Sequence, residues 1–249
     1  MNPSDTARPV ALVTGAARRI GAAIARTLHA AGYDVALHYR QSAAEMQALV
    51  AELEAVRAGS TLMLQADLRD TAALAPLVEA TIARYGRLDA LVNNASTYYA
   101  TPFGSVTPAQ WDELMQANAR APFFLAQAAA PHLRASSGAI VNLADLYALF
   151  PSADLTAHAA SKAALVSLTQ SLALALAPAV RVNAIAPGAI AWPDDAEDET
   201  RRQRILAATP LKRTGSESDI AAAVRWLLVD ARFCTGQVLR IDGGRNLGA

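Results

Sequence analysis

One stretch of the chain carries chemistry that its residue types and spacing make readable at once. Thr14-Gly15-Ala16-Ala17-Arg18-Arg19-Ile20-Gly21 follows the apolar run Val10–Val13 and leads straight into a helical pattern. Gly15 permits a tight turn, and Gly21 lets a helix pack close against a strand. The N–H groups of the first helical turn, backed by the helix dipole, then face an anion such as a pyrophosphate. The middle glycine of the usual dinucleotide pattern is missing, and Arg19 stands in its place. About 20 residues past the turn, an NAD site places a carboxylate for the ribose 2′-hydroxyl. Here the chain reads His38-Tyr39-Arg40-Gln41-Ser42 instead. Arg40, Gln41 and Ser42, helped by Arg18 or Arg19, are donors suited to a 2′-phosphate. NADPH is favoured over NADH on that ground.

Such a turn needs a strand before it and a helix after it, and the rest of the chain supplies the same alternation. Val10–Thr14, Asp34–Tyr39, Thr61–Ala66, Ala90–Asn93, Ala139–Leu143, Val180–Ile185 and Gln237–Ile241 read as strands. Ala22–Ala31, Ala43–Arg57, Thr71–Tyr85, Pro108–Arg134 and Thr156–Ala177 read as helices between them. Strands alternating with helices imply an α/β fold of the Rossmann type. It is a doubly wound parallel sheet of about seven strands with helices on both faces. With no repeat and no linker composition, the 249 residues read as a single domain.

Composition narrows the function classes. A hydrophobic fraction of 53% excludes general disorder. Charges balance at 22 basic and 22 acidic residues with no basic stripe, so nucleic acid is not an expected partner. Cys234 is the sole cysteine, which excludes an internal disulfide and argues against a cysteine metal site; no metal is expected. The first ten residues show no apolar signal core, and a cytoplasmic location is expected. Ala163–Val180 is uncharged but interrupted by Ser167, Thr169, Gln170, Ser171 and Pro178. It reads as a helix buried at a core or subunit interface, not as a membrane span. The segment Trp192–Arg204, acidic and then basic, follows the sixth strand. An excursion over 192–210 fits either a cover for the ligand edge of the sheet or a solvated helix with charge pairs.

From Val10 onward the chain resembles the short-chain dehydrogenase/reductases. The TGAARRIG turn, Asp67 in Ala66-Asp67-Leu68, Asn93-Asn94-Ala95-Ser96, Asn118, Lys162 and Pro187-Gly188 fall in that family's order. The resemblance implies that Asp67 and Leu68 hold adenine and that Asn94, Ala95 and Ser96 line the cofactor. It places Pro187, Gly188 and Ile190 beside the nicotinamide, and Lys162 on its ribose. Asn118 would anchor a water leading to the lysine. Within the family the chain is most similar to pteridine reductases. The supporting residues are the arginine-bearing turn, LHYRQSAAE, NNASTYYATPF, and Asp145 where most members carry serine. That likeness implies a pterin stacked on Tyr98, a hydrogen bond from Ser96, and Trp192 closing the pocket. It also implies a homotetramer built on the long Ala- and Leu-rich helices.

One departure bears on mechanism. The family's proton donor is a tyrosine four residues before the lysine, and this chain has His158 there. One helical turn keeps His158 and Lys162 on one face. An ammonium disfavours a second positive charge on a neighbouring imidazole, while a nearby carboxylate favours it. In pteridine reductases the matching aspartate shares in protonating substrate with the tyrosine and lysine, so the resemblance implies Asp145 as the acid, with His158 orienting substrate or relaying protons. Tyr147 is a further phenol near the same point. The leading expectation is NADPH-dependent reduction of a C=N bond in a dihydropterin or related heterocycle. Two alternatives are a carbonyl reductase of the same family and a catalytically weak NADPH-binding sensor or assembly protein.

Overall fold

The computed structural model describes residues 8–191 and 199–247. Its strands are β1 (Val10–Val13), β2 (Asp34–Tyr39), β3 (Thr61–Gln65), β4 (Ala90–Asn93), β5 (Ala139–Leu143), β6 (Arg181–Pro187) and β7 (Val238–Ile241). They form one seven-stranded sheet in the order β3-β2-β1-β4-β5-β6-β7, every pair parallel. The central strands β1, β4 and β5 are buried along their whole length, which is why they read as unbroken apolar runs. Registers such as Val13 opposite Leu37 on one side and Val92 on the other align the strand ends.

Helices cover both faces. On one side α1 (Arg19–Ala30), α2 (Ala43–Val56) and α8 (Glu217–Val229) pack Ile24, Leu28, Met46, Leu49, Val224 and Leu227 against Val13, Leu37 and Ile185. On the other, α3 (Leu74–Tyr85), α5 (Ala121–Ser136) and α6 (Thr156–Leu176) pack Leu77, Leu125, Leu133 and Leu176 against Leu12, Leu91 and Val182. The helix α8 is absent from the expectation above, although the capping box of Ser216 and Asp219 marks its start. The expected excursion over 192–210 is described only from Glu199, where α7 (Glu199–Ala208) begins. Residues 192–198, Trp192 among them, lie outside the described residues.

The largest difference from expectation concerns Pro108–Arg134. That span is not one helix. It breaks into α4 (Pro108–Met115), a π-helical turn over Gln116–Arg120, and α5. Pro122 lacks the N–H that would bond the carbonyl of residue 118 in a regular helix, and the wider turn accommodates this while burying Asn118 completely. π turns inside helices recur at functional sites. β6 also runs on to Pro187, because β7 pairs with it as far as Pro187 opposite Ile241. The helix α6 has the length and apolar character to cross a membrane. It lies along β6 and buries His158 and Lys162.

The order of the sheet reverses between β1 and β4, where the connections of the chain leave in opposite directions. A crevice opens there at the carboxyl ends of the strands. Two glycines make the β1–α1 turn possible. Gly15 sits at φ +61°, in the left-handed region. A Cβ on Gly21 would lie 2.1 Å from the Gly15 carbonyl oxygen and 2.7 Å from Asn94 Nδ2. Gly21→Ala is therefore expected to lower unfolding free energy by about 1–3 kcal/mol, although alanine gains ~1 kcal/mol in helix propensity. A chemical-denaturation midpoint equal to that of the wild type contradicts this account of the turn.

Candidate active site at the carboxyl edge of the sheet

The crevice is a cleft of about 560 Å³. Its first half is built by the β1–α1 turn. Arg18 caps α1 without a side-chain hydrogen bond to the helix, and the first turn has no acidic residue, so its N–H groups are open to an anion. Gly15, Arg18, Arg19, Ile20 and Gly21 line this part. Thr14 locks the turn to β4: its Oγ1 accepts from the N–H groups of Asn94 at 2.9 Å and Ala95 at 3.0 Å. The Asn94 side chain returns the contact, donating to the carbonyls of Thr14 and Gly15 at 2.9 and 3.0 Å. Arg19, at φ +50°, donates across the cleft to the Ala191 carbonyl at 2.8 Å.

The far end of this half is formed by Tyr39, Arg40, Gln41 and Ser42 after β2 and by Asp67 and Leu68 after β3. Ser42 precedes α2 without a capping hydrogen bond of its own, and Arg18 lies 3.6 Å from Glu45. Arg69 grips Asp67 through its Nε and Nη2, holding the carboxyl down at about 2. It also pairs with Glu113 at 2.9 Å.

The second half gathers the catalytic candidates. Asp145, His158, Lys162, Ser96, Tyr98, Ala95, Pro187, Gly188 and Ile190 all line the cleft. His158 is 1% exposed and its Nε2 lies 3.4 Å from Asp145 Oδ2; the Asp145 side chain is 24% exposed and is the member of the pair open to the cleft. The other ring nitrogen, Nδ1, faces the Thr97 carbonyl at 3.3 Å. A carbonyl only accepts, so Nδ1 carries hydrogen. The contact between Nε2 and the carboxylate is then attractive only when one further proton lies between them. Tyr98 stands edge-on to the His158 ring, 4.9 Å between centroids at 83°.

Asn118 is outside the cleft lining and holds it from behind. Its Oδ1 accepts from Ser96 Oγ at 3.0 Å and from the Thr97 N–H at 2.9 Å. Its Nδ2 donates to the Thr97 carbonyl and to Ser161 Oγ, both at 3.0 Å. Tyr147, the further phenol, does not line the cleft; Arg245 donates to its hydroxyl at 3.3 Å and covers its ring. Sequence reasoning assigned no role to His38, Arg69 and Thr97, which also line the cleft. Thr97 acts through its main chain and leaves no mark in the residue pattern.

The family model described as enoyl-(acyl carrier protein) reductase matches residues 15–246. The chain is similar to pteridine reductase 1 of Leishmania tarentolae, 37% identical over 99% of each chain. It is equally similar to a putative ketoacyl reductase of the granaticin polyketide synthase of Streptomyces violaceoruber, 37% identical over 96% of each. Among solved structures, a blue fluorescent protein from a metagenomic library in complex with NADPH superposes with a TM-score of 0.89. That protein is 39% identical, with 95% of this chain and 97% of the other covered.

Lys162 is 3% exposed and donates to the Leu143 carbonyl at 2.8 Å. Burial pushes its ammonium down to about 8, with Asp145 pulling the other way. A folded value below the unfolded one means the fold favours the neutral amine. The cost of burying the charge is thus present below about pH 8 and is relieved as pH climbs toward the unfolded value near 10.5. Wild type is expected to gain on the order of 2 kcal/mol relative to Lys162→Met between about pH 8 and 10. Denaturant unfolding of both proteins across that range checks it, and a constant difference contradicts it.

Proposed function

The chain belongs to the short-chain dehydrogenase/reductase family of NAD(P)-dependent oxidoreductases, and we propose that it is an NADPH-dependent reductase of a C=N bond in a flat, pterin-like heterocycle. Overall identity does not choose between pterin and ketoacyl substrates, since named relatives of both kinds stand at 37%. The local chemistry supports the first. Carbonyl reduction in the family leans on the phenol that this chain replaces with His158. The observation that carries the proposal is the Asp145–His158 contact, which has room for one proton, beside Tyr98 in the same cleft.

The cleft fits NADPH. Gly15 and Gly21 let the turn pack against Ala95 and Asn94 where a Cβ would clash, the open N–H groups of α1 suit a pyrophosphate, and Arg40 with Ser42 suits a 2′-phosphate. NADPH supplies hydride when bound. Lys162 spends one of its three donors on the Leu143 carbonyl and keeps two for ribose hydroxyls. Tyr98 offers an aromatic face to a bicyclic ring. Asp145, the more exposed partner, gives its proton to the ring nitrogen as the adjacent carbon accepts hydride. The carboxylate left on Asp145, the member of the pair open to the cleft, takes a proton back from solvent, and that proton restores the contact with His158 Nε2. Thr97 keeps the other ring nitrogen occupied throughout.

Purified protein with NADPH and a 7,8-dihydropterin is expected to consume NADPH, followed by its absorbance. Asp145→Asn should lower kcat by at least about 100-fold, the scale of lost acid catalysis, while NADPH affinity stays unchanged. Unchanged turnover rejects Asp145 as the acid. NADPH binding with no turnover of pterins or β-ketoacyl thioesters would leave only a nucleotide-binding protein.

For assembly we propose a homotetramer that uses the groove between α5 and α6. Met115, Phe123, Phe124 and Leu168 line it, with Asp112 and Arg120 among the same lining residues. A two-fold axis there would cover the apolar residues with their own copies and let Asp112 face Arg120 of the partner subunit. Light scattering is expected to give the mass of four protomers, and Phe123→Asp to reduce it. A monomeric wild type rejects the assembly.

A further inference from the structure

His38 lies on β2 and is 2% exposed. Its ring spans two walls of the cleft. The Gly15 N–H donates to Nδ1 at 3.1 Å, and Nε2 lies 3.1 Å from the Ala66 carbonyl. A nitrogen that accepts has no hydrogen, and a nitrogen facing a carbonyl needs one, so the two contacts together define the neutral ring with hydrogen on Nε2. The main chain of the same residue helps: the Ala16 N–H donates to the His38 carbonyl at 2.8 Å. β2 thus holds the glycine turn at two successive residues. Gly15 is the residue whose left-handed backbone makes that turn, and Ala66 directly precedes Asp67 and Leu68.

We propose that His38 is a positioning residue of the dinucleotide site and makes nucleotide affinity depend on pH. This rests on the reading of the cleft as an NADPH site. Neutral His38 keeps the pyrophosphate turn in register with the adenosine wall. A proton on Nδ1 replaces the acceptor by a donor, sets two N–H groups against each other, and releases Gly15. Among charged groups nearby, Asp67 after β3 favours the charged ring. The exposed Arg18 and Arg19 in the turn and Arg40 at the end of β2 carry the opposite charge, and Arg69 already holds Asp67. Burial lowers the ring's affinity for a proton below the ordinary histidine value, against the smaller pull of the Ala66 carbonyl and Asp67. A depressed folded value means the neutral ring's contribution is present above the ordinary histidine range and lost as pH falls through the folded value.

The 2′-phosphate of NADPH also takes up a proton near pH 6, so NADH, which lacks it, is the control. Dissociation constants for both nucleotides are measured by fluorescence titration between about pH 5 and 8, spanning the histidine range. Three proteins are compared. His38→Asn puts an amide oxygen where Nδ1 stood and accepts from Gly15 at any pH; His38→Phe fills the space with no hydrogen bond. Wild type should lose at least about fivefold in affinity for both nucleotides toward low pH, the worth of one hydrogen bond. His38→Asn should bind NADH with no such dependence. His38→Phe should bind at least about fivefold more weakly than wild type near neutrality. The proposal is overturned if His38→Asn keeps the wild-type profile for NADH, or if wild type binds NADH equally well or better at low pH. Should wild type bind neither nucleotide near neutrality, the nucleotide reading itself fails, and this proposal with it. Thermal unfolding of each variant identifies a protein that has not folded, and His38→Asn alone still decides the matter if His38→Phe does not fold.

Discussion

The structure depends on the end of β1 being fastened to the end of β4. A parallel sheet buried on both faces has its apolar residues committed to packing, so its chemistry is left to the strand ends and the loops beyond them. Where the strand order reverses, the loops after β1 and β4 diverge and leave a crevice. Two polar side chains keep that crevice to shape. Thr14 accepts two main-chain N–H groups from the β4 loop, and Asn94 donates to two carbonyls of the β1 turn. The clamp is reciprocal, so four hydrogen bonds tie the glycine turn to the start of the loop bearing Ser96, Thr97 and Tyr98. One loop therefore answers to the phosphate end of the site and to the substrate end.

The same loop also orients the candidate pair Asp145 and His158. Asn118, buried at the π turn, holds Ser96 and Thr97 through both ends of its amide. The Thr97 carbonyl so positioned faces Nδ1 of His158, which turns Nε2 toward Asp145. Chain order contributes nothing to this arrangement: the residues come from β4, the π turn, β5 and α6, and only the sheet edge unites them. The π turn has a physical rationale in this setting, since it delivers a fully buried amide to a loop that a regular helix would leave unsupported.

Much of this was legible from residues, and the rest was hidden for definite reasons. Runs bounded by turn residues marked every strand within two residues at its ends; the central strands leave an unbroken apolar signal because they are buried on both faces, whereas the edge strands β3 and β7 hold no buried residue. The phosphate turn was legible because Gly15 and Gly21 are required by backbone geometry and not by packing. The break after Met115 was not, since Ala, Leu and Phe continue the helical pattern on both sides and Pro122 alone hints at it. The role of His38 was hidden in a different way. Within a buried strand it reads as one polar residue among apolar neighbours, and its partners are main-chain groups that any residue would supply. The same applies to Thr97. Sequence patterns register side chains, while His38 is held by main-chain groups and His158 by a main-chain carbonyl on one side and Asp145 on the other.

On the mechanism proposed above, an imidazole where the family pattern has a phenol is easier to understand as a matter of charge than of shape. In the family pattern a phenol beside an ammonium carries a net charge of plus one before proton transfer and zero after it. Here Lys162, Asp145 and His158 share the corner. With one proton between carboxylate and Nε2, the three together also carry plus one, whichever of the two atoms holds it, because moving it within the pair changes no net charge. Giving that proton to substrate leaves an ammonium, a carboxylate and a neutral ring, again zero. A histidine alone beside Lys162 would have placed two positive charges in a buried corner before transfer, a costly arrangement at low effective dielectric. Asp145 removes that cost, and its position 3.4 Å from His158 is close enough to do so. On the proposed mechanism Asp145 and His158 act together, the carboxylate offsetting the charge that the imidazole would otherwise add beside Lys162.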